Sequence, residues 1–174
     1  GKRAVTAQTP GGTGALRVGG DFLKKLRPGA SLWVSDPTWA NHVGIFTSAG
    51  FDVKKYAYYD AANKSLDFEA MKKSLNEIPE GDIVLLHGCC HNPTGVDPTV
   101  EQGGEIRDII VGRKLLPFVD FAYQGLGNGI DEDSKGMRLI ASSVKELVVA
   151  SSFSKNFGLY NERTGAITFV CDSA

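Results

Sequence analysis

Lys155 is surrounded by small hydroxyl residues, Ser151, Ser152 and Ser154, and Arg163 follows it. It stands just after the apolar run 147–150, at the exit of a candidate buried strand. Partial burial disfavours a charged ammonium and frees the amine to attack a carbonyl, as a Schiff-base nucleophile must. Serine hydroxyls and a nearby arginine can hold a phosphate. An aldehyde and a phosphate on one small molecule describe pyridoxal phosphate. The same residues also suit a solvated loop, so the segment needs partners elsewhere.

Candidate partners follow other apolar runs. Asp120 ends the run 115–119. A carboxylate there can pair with a protonated ring nitrogen, and a pyridinium is the electron sink of pyridoxal chemistry; it can equally cap a loop. Tyr123 suits a hydrogen bond to a phenolic oxygen or a half-buried aromatic position. Gly11-Gly12-Thr13-Gly14 opens a helix, where unobstructed backbone N–H groups attract an anion. The alternative is a plain turn with Thr13 as N-cap. The spacing is not that of a dinucleotide fingerprint.

Trp39 follows Asp36-Pro37 and can stack on a planar ring or enter the core. His42 lies on the same face if a helix has begun by Trp39, and is the candidate partner behind Asp120. His91-Asn92-Pro93-Thr94-Gly95 is a turn signature in which Asn92 offers both donor and acceptor. His87, Cys89, Cys90 and His91 invite a zinc reading. They share one short strand-to-loop segment whose side chains alternate between faces. No second ligand cluster accompanies them, so no metal is expected.

The elements that must position these residues alternate along the chain. Strand candidates are 4–8, 31–35, 52–56, 82–87, 115–119, 146–150 and 165–170; helix candidates are 13–26, 39–49, 67–77, 99–112 and 132–143. Asp67 and Asp97 stand at expected N-caps, with Pro98 as a first helical residue. Strand–helix alternation predicts an α/β fold: a mainly parallel sheet in a three-layer α/β/α arrangement, its last strand antiparallel. Ligands bind such sheets at the carboxyl ends of the strands. Lys155, Asp120, Asn92, Trp39 and the glycine turn all fall there.

Length and composition bound the reading. The 174 residues suffice for one domain with a sizeable core. A net charge of −1 gives no electrostatic reason to expect nucleic acid or an anionic membrane as partner. No apolar run reaches the roughly 20 residues of a membrane span. Residues 1–5 lack the apolar core of a signal peptide, and three cysteines make no disulfide framework. A reducing, cytoplasmic compartment is expected. Of 21 glycines, Gly19-Gly20 and Gly103-Gly104 fall inside helix candidates, where each costs roughly 1 kcal/mol.

Taken together, Asp36-Pro37-Thr38-Trp39, His91-Asn92-Pro93-Thr94-Gly95, Asp120-Phe121-Ala122-Tyr123-Gln124-Gly125 and Ser152-Phe153-Ser154-Lys155-Asn156-Phe157-Gly158 resemble the aspartate/aromatic-amino-acid aminotransferases. These are fold-type I pyridoxal phosphate enzymes, and the bacterial aspartate branch is the most similar. The resemblance implies a seven-stranded sheet with one antiparallel strand and cis peptides before Pro37 and Pro93. It implies that Lys155 forms the Schiff base and moves the substrate proton. Asp120 pairs with the ring nitrogen, with His42 behind it; Tyr123 and Asn92 bond the phenolic oxygen. Trp39 stacks on the ring, and Gly12, Thr13, Ser152 and Arg163 cup the phosphate. Amino acids and 2-oxo acids are the implied substrates, and a homodimer the implied assembly.

Departures from the family set further expectations. Residues 1–174 correspond to the large cofactor domain, without the N-terminal arm, the interdomain helix or the small domain that carries a substrate-gripping arginine. A tryptophan usual after Glu101-Gln102 is here Gly103. The leading expectation is the cofactor-binding domain of an aspartate aminotransferase-like enzyme that transaminates through Lys155. The alternative is an isolated, engineered module with little or no transaminase activity, and in such an isolated domain the paired glycines would replace side chains that faced removed parts.

Overall fold

In the computed structural model, residues 3–172 are described. The chain runs β1 (Ala4–Pro10), α1 (Gly11–Leu26), β2 (Leu32–Asp36), α2 (Ala40–Ser48), β3 (Val53–Ala57), β4 (Tyr59–Asp60), β5 (Ser65–Leu66), α3 (Phe68–Glu77), β6 (Ile83–His87), α4 (Val100–Gly112), β7 (Leu116–Phe121), α5 (Lys135–Ala141), β8 (Leu147–Ser152) and β9 (Thr164–Val170). Continuous apolar runs make the central strands. Every residue of β7 is buried, as expected of a parallel strand covered on both faces. The outer strand β3 carries Lys54 and Lys55, charges that discourage pairing with another chain.

Seven strands form one sheet in the order β1-β9-β8-β7-β6-β2-β3. Only β9 opposes its neighbours, pairing antiparallel with both β1 and β8. The period of two splits the core into two layers. Ile83, Leu85, Phe118 and Val148 pack on the face covered by Leu16, Leu23 and Phe46 of α1 and α2. Val84, Leu86, Val119 and Val149 pack on the face covered by Met71, Ile106 and Ile140 of α3, α4 and α5. This is the expected three-layer α/β/α arrangement with one antiparallel strand.

Some local expectations differ. Asp67 caps α3 by accepting from the Ala70 N–H at 3.1 Å. Asp97 does not cap α4. Thr99 does, in a reciprocal capping box with Gln102, because that pair satisfies two end donors at once. Asp97 instead accepts from the Cys90 and His91 N–H groups. The helix expected at 132–143 shrinks to α5, because Asp133 is held by the N–H groups of Gly125, Gly127 and Asn128. The two-residue strands β4 and β5 form a small separate ladder.

The paired glycines divide. A Cβ on Gly19 would lie 2.6 Å from Phe118 Cζ, and one on Gly20 3.2 Å from Phe46 Cδ1. Both glycines are buried inside α1. They let the helix settle on the sheet, which corrects the expectation that they replace side chains facing absent parts. Gly103 and Gly104 have nothing within 4 Å.

Candidate active site

Parallel pairing aligns the carboxyl ends of β2, β6, β7 and β8 along one edge, and β1, antiparallel to the antiparallel β9, ends on the same side. A cavity of about 200 Å³ opens there. Gly12, Thr13, Trp39, Asn92, Asp120, Tyr123, Ser152, Lys155 and Arg163 all line it. The structure thus gathers every sequence-predicted site residue, with His42 directly behind.

One end of the cavity is the start of α1. Pro10 precedes the helix, no side chain caps it, and its first turn carries no acid. Thr13 is therefore not the N-cap that the alternative reading required. It lies within the first turn and is exposed. The leading N–H groups are left for an anion. Gly11 has φ +73°, a left-handed conformation suited to glycine, and a Cβ on it would lie 2.5 Å from the Arg163 guanidinium. A Cβ on Gly12 would lie 2.9 Å from Ser152 Cβ. Glycine brings backbone, Ser152 and Arg163 together around one small volume. Free N–H groups, a hydroxyl and a guanidinium fit a phosphate.

Lys155 lies in the turn after β8, half-buried. Its Nζ stands 5.1 Å from the centre of the Tyr123 ring and 6.0 Å from that of Tyr160. No ion pair engages it among the described residues. Ser154, one of the serines beside Lys155, also lines the cavity, and so does Tyr160, which was given no role from the sequence. Its closeness to Lys155 in the chain was the available signal.

Asp120, near the end of β7, is 9% exposed. Its Oδ2 is 2.8 Å from Nε2 of fully buried His42. A chain of contacts continues behind it. His42 Nδ1 is 2.7 Å from Thr38 Oγ1, which is 3.3 Å from His87 Nε2. His87 Nδ1 accepts from the Asn92 N–H at 3.3 Å. That backbone donor sets the direction of the whole chain. With Nδ1 accepting, the His87 proton is on Nε2 and is donated to Thr38. The Thr38 hydroxyl then donates to His42 Nδ1, and His42 donates from Nε2 to Asp120. Burial, reinforced by His91 and His42, lowers the His87 pKa to about 2, which keeps it neutral.

Trp39 sits at the start of α2, its ring edge-on to His42 at 5.3 Å between centres. The Asp36–Pro37 and Asn92–Pro93 peptides are cis. His91 bonds Ser35 and Thr94 through its two ring nitrogens and stacks on Tyr58. His87 and His91 are thus structural partners here. Among the described residues no cluster could hold a metal ion.

Comparison with known proteins agrees with this geometry. The family model for aminotransferase class I and II matches residues 1–174. The chain is 60% identical to the aspartate aminotransferase of Escherichia coli K12 over 169 residues, 97% of this chain and 43% of that protein. It is 50% identical to the aromatic-amino-acid aminotransferase of Pseudomonas aeruginosa over 173 residues, 99% of this chain and 43% of the relative. The crystal structure of an aromatic-amino-acid aminotransferase from Burkholderia pseudomallei, covalently bound to pyridoxal phosphate, superposes with a TM-score of 0.97 at 48% identity. That match covers 99% of this chain and 43% of the other. The chain spans less than half the length of these relatives.

Proposed function

The chain belongs to the class I and II aminotransferase family, and from that premise we propose that residues 1–174 form a single pyridoxal phosphate-binding domain serving transamination between amino acids and 2-oxo acids. The observation that carries this is one cavity lined by the Lys155 amine, the Asp120 carboxylate and the uncapped start of α1. Pyridoxal phosphate supplies an aldehyde that condenses with amines and a ring that withdraws electrons from the attached carbon.

The chain's own residues do the rest. With the cofactor bound, Lys155 would provide the condensing amine and would hold and deliver the proton at the substrate Cα. Asp120, oriented by His42, would hold a proton on the ring nitrogen by its opposite charge. Tyr123 and Asn92, which line the cavity, would hydrogen-bond the phenolic oxygen, and Trp39 would cover the ring. Gly12, Thr13, Ser152 and Arg163 hold the phosphate. A homodimer fits the family resemblance, and three free cysteines support a cytoplasmic setting.

A second reading has its own observation. Lys155 and Arg163 are the only Lys or Arg residues lining the cavity among the described residues. Both are used, so nothing cationic remains to clamp a substrate carboxylate, and orientation is lost with the clamp. On that reading the chain is a cofactor-binding module that turns over weakly. Titration with pyridoxal phosphate should give a near-visible band that borohydride fixes onto Lys155, with no adduct in Lys155→Ala. Equal labelling of both proteins removes Lys155 from the role. Oxaloacetate formation from aspartate and 2-oxoglutarate separates enzyme from module.

A further inference from the structure

Lys155 and Tyr123 belong to different strand exits, after β8 and β7, yet Lys155 Nζ stands 5.1 Å from the centre of the Tyr123 ring. One peptide unit joins the two loops. It links Gln124 to Gly125, immediately after Tyr123. Its carbonyl accepts from the side-chain amide of Asn156 at 3.1 Å, and Asn156 immediately follows Lys155. Its N–H donates to Asp133 Oδ2 at 2.8 Å. Both ends of a single peptide are thus gripped by side chains from separate segments, one after β8 and one just before α5.

Asp133 is the fixed end. It is 8% exposed and also accepts from the Gly127 and Asn128 N–H groups at 3.0 and 2.7 Å. Burial by itself would raise its carboxyl, but the three backbone donors together hold it below the usual carboxylate range. A carboxylate on the N–H polarises the peptide and makes its carbonyl a better acceptor for Asn156. The Leu126 N–H donates to the Tyr123 carbonyl at 3.0 Å, and the Gln124 side-chain amide to the Ile130 carbonyl at 3.0 Å. The segment from Tyr123 to Ile130 is therefore tied to the same anchor.

Asn156 is the other end. Only its N–H can meet the Gln124 carbonyl, which settles the orientation of the amide. Its Oδ1 is then buried without a partner among the described residues. An unsatisfied buried acceptor is destabilising, so stability alone does not account for an amide here. We propose, on the cofactor reading above, that Asn156 is a positioning residue for transamination: through the peptide that Asp133 anchors, it sets the Tyr123 ring against Lys155 Nζ. With the cofactor bound, a donor at the phenolic oxygen draws off negative charge that would otherwise hold a proton on the adjoining nitrogen of the Lys155 linkage. Letting Tyr123 drift would raise the pH at which the near-visible band changes.

Asn156→Leu keeps the shape while removing both the donor and the orphaned oxygen. In the cofactor-free chain, NMR should show a nuclear Overhauser contact between the Lys155 ε-protons and the Tyr123 ring, and the variant should lose it. In the loaded protein the pH midpoint of the band should rise by roughly half a unit or more. The urea midpoint should barely move, because the lost bond and the lost orphan offset each other. Asp133→Asn, at the far end of the peptide, should change the contact and the band in the same direction. Asn156→Ala serves if the leucine variant does not fold. An intact contact with an unmoved band in folded variants, whatever their stability, marks a merely structural side chain and overturns the proposal. The contact is read without cofactor, so its loss with no band in any protein sinks the cofactor reading and leaves the placement of Tyr123 by Asn156 supported.

Discussion

A single backbone donor, the Asn92 N–H, decides where three protons sit between His87 and Asp120. Two outcomes follow for these residues. Nitrogen-15 NMR at pH 7 should find both His87 and His42 as the Nε2–H tautomer. Thr38→Val removes the one group that accepts from one histidine and donates to the other. It should cost about 1–3 kcal/mol, the penalty for buried polar groups left unpaired, measured by urea unfolding. An Nδ1–H form of His42 or a cost near zero contradicts the assigned direction. Most members of the site could be named from sequence, because they stand at strand exits beside chemically distinctive neighbours; Tyr160 could not. Thr38 and His87 as links between Asn92 and His42 could not, because their contacts join two loops, the end of β6 and α2.

At the scale of elements, the same substitution should act with opposite sign in two helices. Gly104→Ala, in open space within α4, should stabilise by about 1 kcal/mol through helix propensity. Gly19→Ala, against Phe118 and Ile167, should destabilise by about 1–3 kcal/mol through overpacking. Chemical denaturation of both variants checks this; equal shifts would mean that the packing around α1 yields freely. The central strands of the main sheet were legible because buried parallel strands are written as unbroken apolar runs. The small β4–β5 ladder was not, because two residues carry no period. Asp97-Pro98 misled because it mimics a helix start, while the competing signal, Thr99 with Gln102, lay one step further on. The role of Gly19 and Gly20 was invisible in the sequence, since close packing is a property of what lies opposite.

For the molecule as a whole, buried neutral histidines tie stability to pH. His87 is lowered to about 2 and His91 to about 4, both chiefly by burial. In the unfolded chain histidine titrates near pH ~6.5. Below that pH the unfolded state binds protons that the folded state refuses, so stability falls as pH drops from about 6.5 toward 4. Each histidine contributes up to about 1.4 kcal/mol per pH unit. Urea unfolding at pH 7 and pH 5 should differ accordingly, and a flat profile contradicts it. The three-layer arrangement was legible from strand–helix alternation, whereas the grip of Asn156 and Asp133 on one peptide was not, because it joins side chains to backbone groups of a distant loop.

The antiparallel register of β9 has a mechanical meaning. Ala4 faces Val170 at one end of the β1–β9 ladder, and Pro10 faces Thr164 at the other. Tension applied through Arg3 and Cys171 therefore loads this ladder as a zipper, rung by rung, rather than in shear. The rung beside the Gly11 turn is the last to part, which puts the phosphate-holding corner at the end of the seam most sheltered from force.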